Sequence, residues 1–212
     1  MTSIFMTMTK MVKRSPIALA ILALLYEAPM HPYRMQQLIK ERGKDEVINV
    51  TQRASLYQTI SRLEREGLIA SQGLSRDENR PEKTIYELTT AGREIAIDWM
   101  RQILSTPSQE FPEFPAAISF VMLLTPKDAM QQLERRATAL QAELDRIDGQ
   151  FKAVSFVPRL FLLEMEYLRA SHATELKWVR SVVEDLRSGS LTWGKTWLKK
   201  VAAELAAHGI TS

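Results

Sequence analysis

The sequence predicts a mainly α-helical protein in two parts, and three observations carry that prediction. Residues 15–43, 51–66 and 89–105 place apolar residues at three-and-four spacing between recognisable caps and stops. The interval from 68 to 88 instead holds two short runs around a polar loop. Residues 126–187 then repeat apolar positions more strictly than ordinary globular helices do.

The first fourteen residues, MTSIFMTMTKMVKR, show no period and end in Lys10, Lys13 and Arg14, which predicts a flexible N-terminal arm over 1–14. Met11 is an alternative start, and a basic arm can either fray or touch phosphate. Ser15-Pro16 is a cap followed by a first-turn proline, and Ile17, Leu19, Ala20, Ile21, Ala23, Leu24 and Leu25 make a helix apolar nearly all round, which belongs in a core. Pro29 ends it. His31-Pro32 opens a second helix with Met35, Leu38 and Ile39 at helical spacing, and Gly43 stops it. Lys44 to Val50 is a connector longer than the tightest helix-turn-helix turn.

Thr51 is placed as N-cap of a third helix running to about Glu66, with Gly67 as its stop. At about 100° per residue, Leu56, Ile60 and Leu63 fall in one sector and face the core. Thr51, Ala54, Ser55, Gln58, Ser61, Arg62 and Arg65 fall opposite, with no acidic residue before Glu64. Strands follow at Leu68 to Gln72 and Lys83 to Leu88, around a loop carrying Arg76 and Arg80, and Thr89 or Thr90 caps a helix reaching about Leu104. Helix, strand, charged loop, strand, helix is the order of a winged helix-turn-helix, here expected over 15–105 with a small two-stranded wing.

The stretch STPSQEFPEFP contains Pro107, Pro112 and Pro115 and predicts a linker over 106–115. A helical domain is expected over 116–212. Thr125-Pro126-Lys127-Asp128 caps its first long helix, with the acidic residue at the positive end of the helix dipole. Met130, Leu133, Ala137, Leu140, Leu144, Ile147, Phe151 and Val154 recur at three and four, a coiled-coil-like seam that Gly149 is expected to interrupt. Pro158 opens a second long helix to about Arg187, with Phe161, Met165, Leu168, Leu176, Val179, Val183 and Leu186 on its stripe. A last amphipathic piece holds Trp193, Trp197, Val201 and Leu205.

Such a seam predicts a homodimer, with Met130, Leu133, Ala137, Leu140, Leu144, Ile147, Phe161, Met165, Leu168, Leu176, Val179 and Val183 as its dimerisation residues. The alternative is an antiparallel hairpin closed within one chain.

Composition excludes several classes. The 212 residues contain no cysteine, so neither a disulfide framework nor a thiolate metal site can form. No apolar run approaches the roughly 18 to 20 residues of a membrane helix, which points to a cytoplasmic protein. The net charge of +3 sits wholly in the first half: residues 1–107 carry 15 Lys and Arg against 12 Asp and Glu, and the rest 13 against 13. The three histidines are far apart, and there is no HExxH, GxSxG or glycine-rich phosphate loop, so neither enzyme activity, a cofactor nor a metal is expected. Glu164, His172 and Glu175 share part of a helix face, but a second such motif is missing, which favours a polar network over a metal site. Trp99, Trp178, Trp193 and Trp197 fit either ordinary core or an aromatic effector pocket.

On the third helix the residue types suit base reading: Arg donates two hydrogen bonds to guanine and Gln pairs bidentately with adenine. Gln52, Arg53, Ser55 and Gln58 are therefore expected at base edges, and Thr51, Tyr57, Arg62, Arg76, Arg80 and Lys83 towards phosphates. The competing readings are a winged-helix protein-interaction module, which would want an apolar rather than a polar-basic outer face, and a small-molecule sensor without DNA binding.

Three segments also carry a resemblance. ASLYQTISRLEREGLI followed by EKTIYELTTAGRE, with His31-Pro32-Tyr33 opening the second helix, resembles the PadR family of bacterial transcriptional regulators. Leu56, Tyr57, Leu63, Glu64, Gly67, Leu68, Ile69, Tyr86, Leu88, Thr89 and Gly92 occupy the family's positions. Gln58 departs from it, since many members have proline after the tyrosine. FPAAISFVMLLTPKDAMQQLERR and HATELKWVRSVVEDLRSGSLTW are similar to the helical C-terminal region of the family and of related virulence activators. The resemblance implies a homodimer, usually a repressor on a double-stranded DNA operator, released from DNA by a small molecule or another cue; an aromatic effector is what a tryptophan-lined pocket would take.

Overall fold

The structure is a computed structural model that describes residues 13–50, 53–75 and 83–208. It divides into two compact units at Gln109/Glu110.

In the first unit, Ser15 caps α1 (Pro16–Glu27) by accepting from the Ala18 amide at 3.2 Å, and Pro16 occupies the first turn, where its missing N–H costs nothing. This helix is apolar on nearly every side because it has neighbours on nearly every side: α2 (Pro32–Glu41), α3 (Arg53–Arg65), the second wing strand and α4 (Thr90–Ser105) all pack on it. Ile21 and Leu22 are wholly buried there with Met35, Ile39, Leu56, Ile60, Leu63 and Trp99. Gly43 closes α2 with φ 65°, a left-handed conformation that a side chain would strain, and a short 3-10 turn (Lys44–Glu46) leads on towards α3.

The wing is an antiparallel pair, β1 (Ile69–Ser75) and β2 (Lys83–Leu88), in the register Ile69 to Leu88, with an irregularity between Ser71 and Leu74. β1 runs three residues beyond the Gln72 expected from sequence. Met30, in the turn between α1 and α2, adds a single bridge: its amide donates to the Tyr86 carbonyl at 3.0 Å and its carbonyl accepts from the Tyr86 amide at 3.1 Å.

In the second unit, α5 (Glu113–Ser119) begins inside the proline-rich stretch and a 3-10 turn (Val121–Leu123) follows it. Thr125 then caps α6 (Pro126–Ala153), accepting from the Asp128 amide at 3.2 Å. The helix passes through Gly149 without a break, contrary to the sequence expectation. A helical glycine costs about 1 kcal/mol relative to alanine, and the buried Leu144 and Ile147 just before it offset that cost. A 3-10 turn (Arg159–Leu162) occupies the expected start of the next helix, so α7 spans Leu163–Ser188 and ends on Gly189 at φ 77°. The last helix, α8 (Lys195–Ala207), buries none of its residues, although Trp193 just before it donates from Nε1 to the Leu124 carbonyl at 2.9 Å.

α6 and α7 run antiparallel, as the order of their cross-links requires. Asp148 pairs with Arg169, the Gln141 carbonyl oxygen accepts from Arg180 at 3.0 Å, and Glu134 pairs with Arg187 at 2.8 Å. Between them Leu133, Leu140 and Leu144 are buried against Leu176, Val179 and Val183, with Met130 and Ala137 half-buried on the same cluster. Ile147 is 2% exposed.

Within one chain, most of the residues expected between two copies pack on one another. Periodicity sets which face is apolar but not which helix covers it, and the short connection between α6 and α7 makes the partner in the same chain the nearer one. Of the remaining seam residues, Met165 and Leu168 are half-buried and Phe161 is exposed on the 3-10 turn. Arg136 fastens α5 to this pair, its guanidinium 3.5 Å over the Phe114 ring while it pairs with Glu175; Phe114 in turn meets Trp178 edge-on with centroids 6.1 Å apart.

Candidate nucleic-acid interface

α3 is held by its apolar face and free on the other. Leu56, Ile60 and Leu63 are each no more than 1% exposed, whereas Ala54, Gln58, Ser61 and Arg65 are exposed and Ser55 and Arg62 half-buried. Tyr57 is 47% exposed. No acidic residue lies in the first turn, so nothing there repels a phosphate at the positive end of the helix dipole. Thr59 turns inward on its own helix, donating from Oγ1 to the Ser55 carbonyl at 2.7 Å.

The approach to this helix is fixed by a residue that periodicity does not single out. Gln36, 9% exposed, donates from Nε2 to the Val50 carbonyl at 3.2 Å, and Val50 itself is buried. A glutamine on α2 thus satisfies a carbonyl in the connector three residues before α3 begins. On the other side, Gly67 at φ 71° ends the turn after α3, and Leu68 and Ile69 enter the core as β1 starts.

The base of the wing is locked to α4 through Thr89. Its hydroxyl lies 2.8 Å from the Gly67 carbonyl and 3.0 Å from the Leu68 carbonyl, its amide donates to Leu68, and it accepts from the Gly92 amide at 3.0 Å as N-cap. Along the wing, Gln72 donates to Glu87, and burial pushes the Tyr86 phenol up, with Glu64 and Tyr57 adding to the shift, so Tyr86 stays neutral.

The expected contact residues fall unevenly. Ser55, Tyr57, Gln58 and Arg62 share α3, and Arg53 and Lys83 supply backbone to α3 and β2. Thr51, Gln52, Arg76 and Arg80, and the side chains of Arg53 and Lys83, lie outside the described residues. Arg62 carries one contact unforeseen from sequence: it donates from Nη1 to the Lys13 carbonyl. The tryptophans divide by environment. Trp99 is core, Trp178 stacks edge-on with Phe114, Trp193 binds Leu124, and Trp197 is 52% exposed. Glu175 is taken by Arg136, and no cluster of His, Asp and Glu able to hold a metal occurs among the described residues.

A polar helix presented beside a two-stranded hairpin defines a winged helix-turn-helix protein. Residues 21–96 match the family model of the transcriptional regulator PadR-like family. Among solved structures, Bacillus subtilis PadR in complex with operator DNA superposes with a TM-score of 0.65 at 20% identity, over 81% of this chain and 99% of that one. The same protein in complex with p-coumaric acid gives 0.62 at 18%, over 82% and 99%. The Vibrio cholerae virulence activator AphA gives 0.63 at 16%, over 81% and 98%. At these identities the likeness establishes the fold. A comparison with curated proteins finds no match. No helix among the described residues is long and apolar enough to cross a membrane.

Proposed function

We propose that this chain is a DNA-binding transcriptional regulator that works as a homodimer on an inverted-repeat operator in the cytoplasm. The observation that carries the reading is the outer face of α3, exposed, polar to basic, and without a carboxylate in its first turn. Gln52, Arg53, Ser55 and Gln58 read base edges, and Thr51, Tyr57, Arg62, Arg76, Arg80 and Lys83 hold phosphates. Domains over 15–105 and 116–212 divide the work between DNA and dimerisation.

The dimer is supported by what the second unit leaves uncovered after α6 and α7 have closed on each other. Phe120, Leu123, Phe156, Leu160, Tyr167 and Trp197 are all more than half exposed, an apolar excess that a second copy would cover. A two-fold axis then presents two α3 helices to one face of a duplex, about 34 to 36 Å apart or a multiple of that. The protein represses by occupying a promoter and is released by an aromatic or other small-molecule effector, a reading that the relative solved with p-coumaric acid supports.

The test is binding to sheared genomic DNA across a salt series, followed by sequencing of the retained fragments. A steep loss of affinity with salt and enrichment of inverted repeats are expected. Binding indifferent to salt would reject the reading, and deletion of the gene lowering rather than raising transcription beside the enriched sites would reject repression.

A further inference from the structure

The described chain opens on two cations, Lys13 and Arg14, both exposed and neither in a salt bridge among the described residues. They precede a fixed start: Ser15 caps α1, and Ala18, Ala20, Ile21, Leu22, Leu24 and Leu25 of α1 are buried in the core of the first unit. Forty-nine residues further on, Arg62 points from the outer side of α3 and donates to the Lys13 carbonyl. That bond uses one of five guanidinium donors and spends no charge, because its acceptor is a neutral carbonyl. The Lys13 backbone is therefore held against the second half of α3, which also carries the exposed Arg65.

We propose that Arg62 is a positioning residue that fastens the Lys13–Arg14 segment to α3 and so makes these two cations part of the duplex-binding surface. The proposal deepens the DNA-binding reading and rests on it. Two flexible cations on a loose terminus contribute little to a phosphate contact, because ordering each long side chain and its backbone costs entropy at the moment of binding. A segment already tethered at a carbonyl between the α1 cap and α3 has met part of that cost in the free protein. The tether leaves the Lys13 ammonium and the Arg14 guanidinium unspent, so both charges are available to phosphates beside α3 at a smaller ordering cost.

The arrangement is tested with the full chain and mixed-sequence duplex DNA, reading the slope of log affinity against log salt. K13A/R14A keeps the backbone carbonyl and removes only the charges, and is expected to flatten the slope by about 1.8 per protomer, about 0.9 for each lost phosphate contact. On an Arg62→Ala background the same double substitution is expected to change the slope by almost nothing, because the tether is already gone. Equal flattening on both backgrounds would show the arm binding without Arg62 and overturn the proposal. An unchanged slope for K13A/R14A on the wild-type background would overturn it too. Wild-type protein with no salt dependence would instead remove the DNA-binding reading and this inference with it.

Discussion

Gly92 stands so close to Leu68 that a Cβ on it would lie 1.9 Å from the Leu68 carbonyl oxygen. The clash is with backbone that is itself hydrogen-bonded to Thr89, so neither side has room to give. Gly92→Ala is expected to destabilise the first unit by about 3 kcal/mol, the upper end of the range for overpacking. Thermal unfolding followed by circular dichroism measures it; a melting curve like that of the wild type would show that α4 can slide away from the wing.

Gln36 makes a second prediction. Gln36→Leu keeps the volume and removes the donor, leaving the Val50 carbonyl unpaired at a cost of about 1–3 kcal/mol. Because that carbonyl lies just before α3, DNA affinity is expected to fall beyond what the loss of folded protein accounts for. Denaturant unfolding together with DNA binding separates the two effects; loss of stability with unchanged affinity of the folded fraction would confine Gln36 to packing.

The two kinds of apolar residue in the second unit should answer differently. Leu140→Ala, inside the α6–α7 seam, is expected to cost about 2–5 kcal/mol of stability. Leu123→Glu, at a site 84% exposed, is expected to leave the protomer folded and to dissociate the proposed dimer. Sedimentation alongside thermal unfolding checks both, and a Leu123→Glu protein that still sediments as a dimer would move the interface elsewhere.

Base reading and phosphate holding separate by specificity. Gln58→Ala is expected to lower affinity for a selected operator by about 1–3 kcal/mol while leaving random duplex nearly untouched. Arg80→Ala is expected to weaken both evenly. The paired titrations decide it, since equal losses on operator and random DNA for Gln58→Ala would take that residue out of the base-edge set.

Acid stability carries a small signature of Arg42. Its two hydrogen bonds to Glu27, at 2.6 and 2.7 Å, hold the Glu27 carboxyl below the usual glutamate range, against the burial that pushes it up. A lowered carboxyl contributes stability that is present above the ordinary glutamate range and lost as pH falls through the lowered value. The pair is half exposed, so solvent screening keeps the contribution below about 1 kcal/mol. Unfolding of wild type and Glu27→Gln is expected to differ at neutral pH and to converge as pH falls below the lowered Glu27 value; a constant gap would assign the effect to packing.

The sequence conveyed the local signals and missed the choices between distant partners. Thr89 and Thr125 are caps because a side-chain oxygen beside the first free amides is a local arrangement, and Gly43 and Gly67 stop their helices for an equally local reason. The outer face of α3 follows from helix geometry alone. The stripe Leu133, Leu140, Leu144 was legible as a seam, but its partner was not, since hairpin and dimer demand the same spacing. Gln36 on Val50, Met30 on Tyr86 and Arg62 on Lys13 each join one residue to another 14 to 56 positions away, and single links of that kind leave no period to read.

The paired bonds between Met30 and Tyr86 have a mechanical outcome. They rivet the corner of the helical hairpin to the stem of the β-ribbon, while Thr89 rivets the opposite edge of that stem to α4. With both edges pinned, the ribbon's root cannot tilt against the helices unless one set of rivets shears, so helices and ribbon behave as a single stiff tool head.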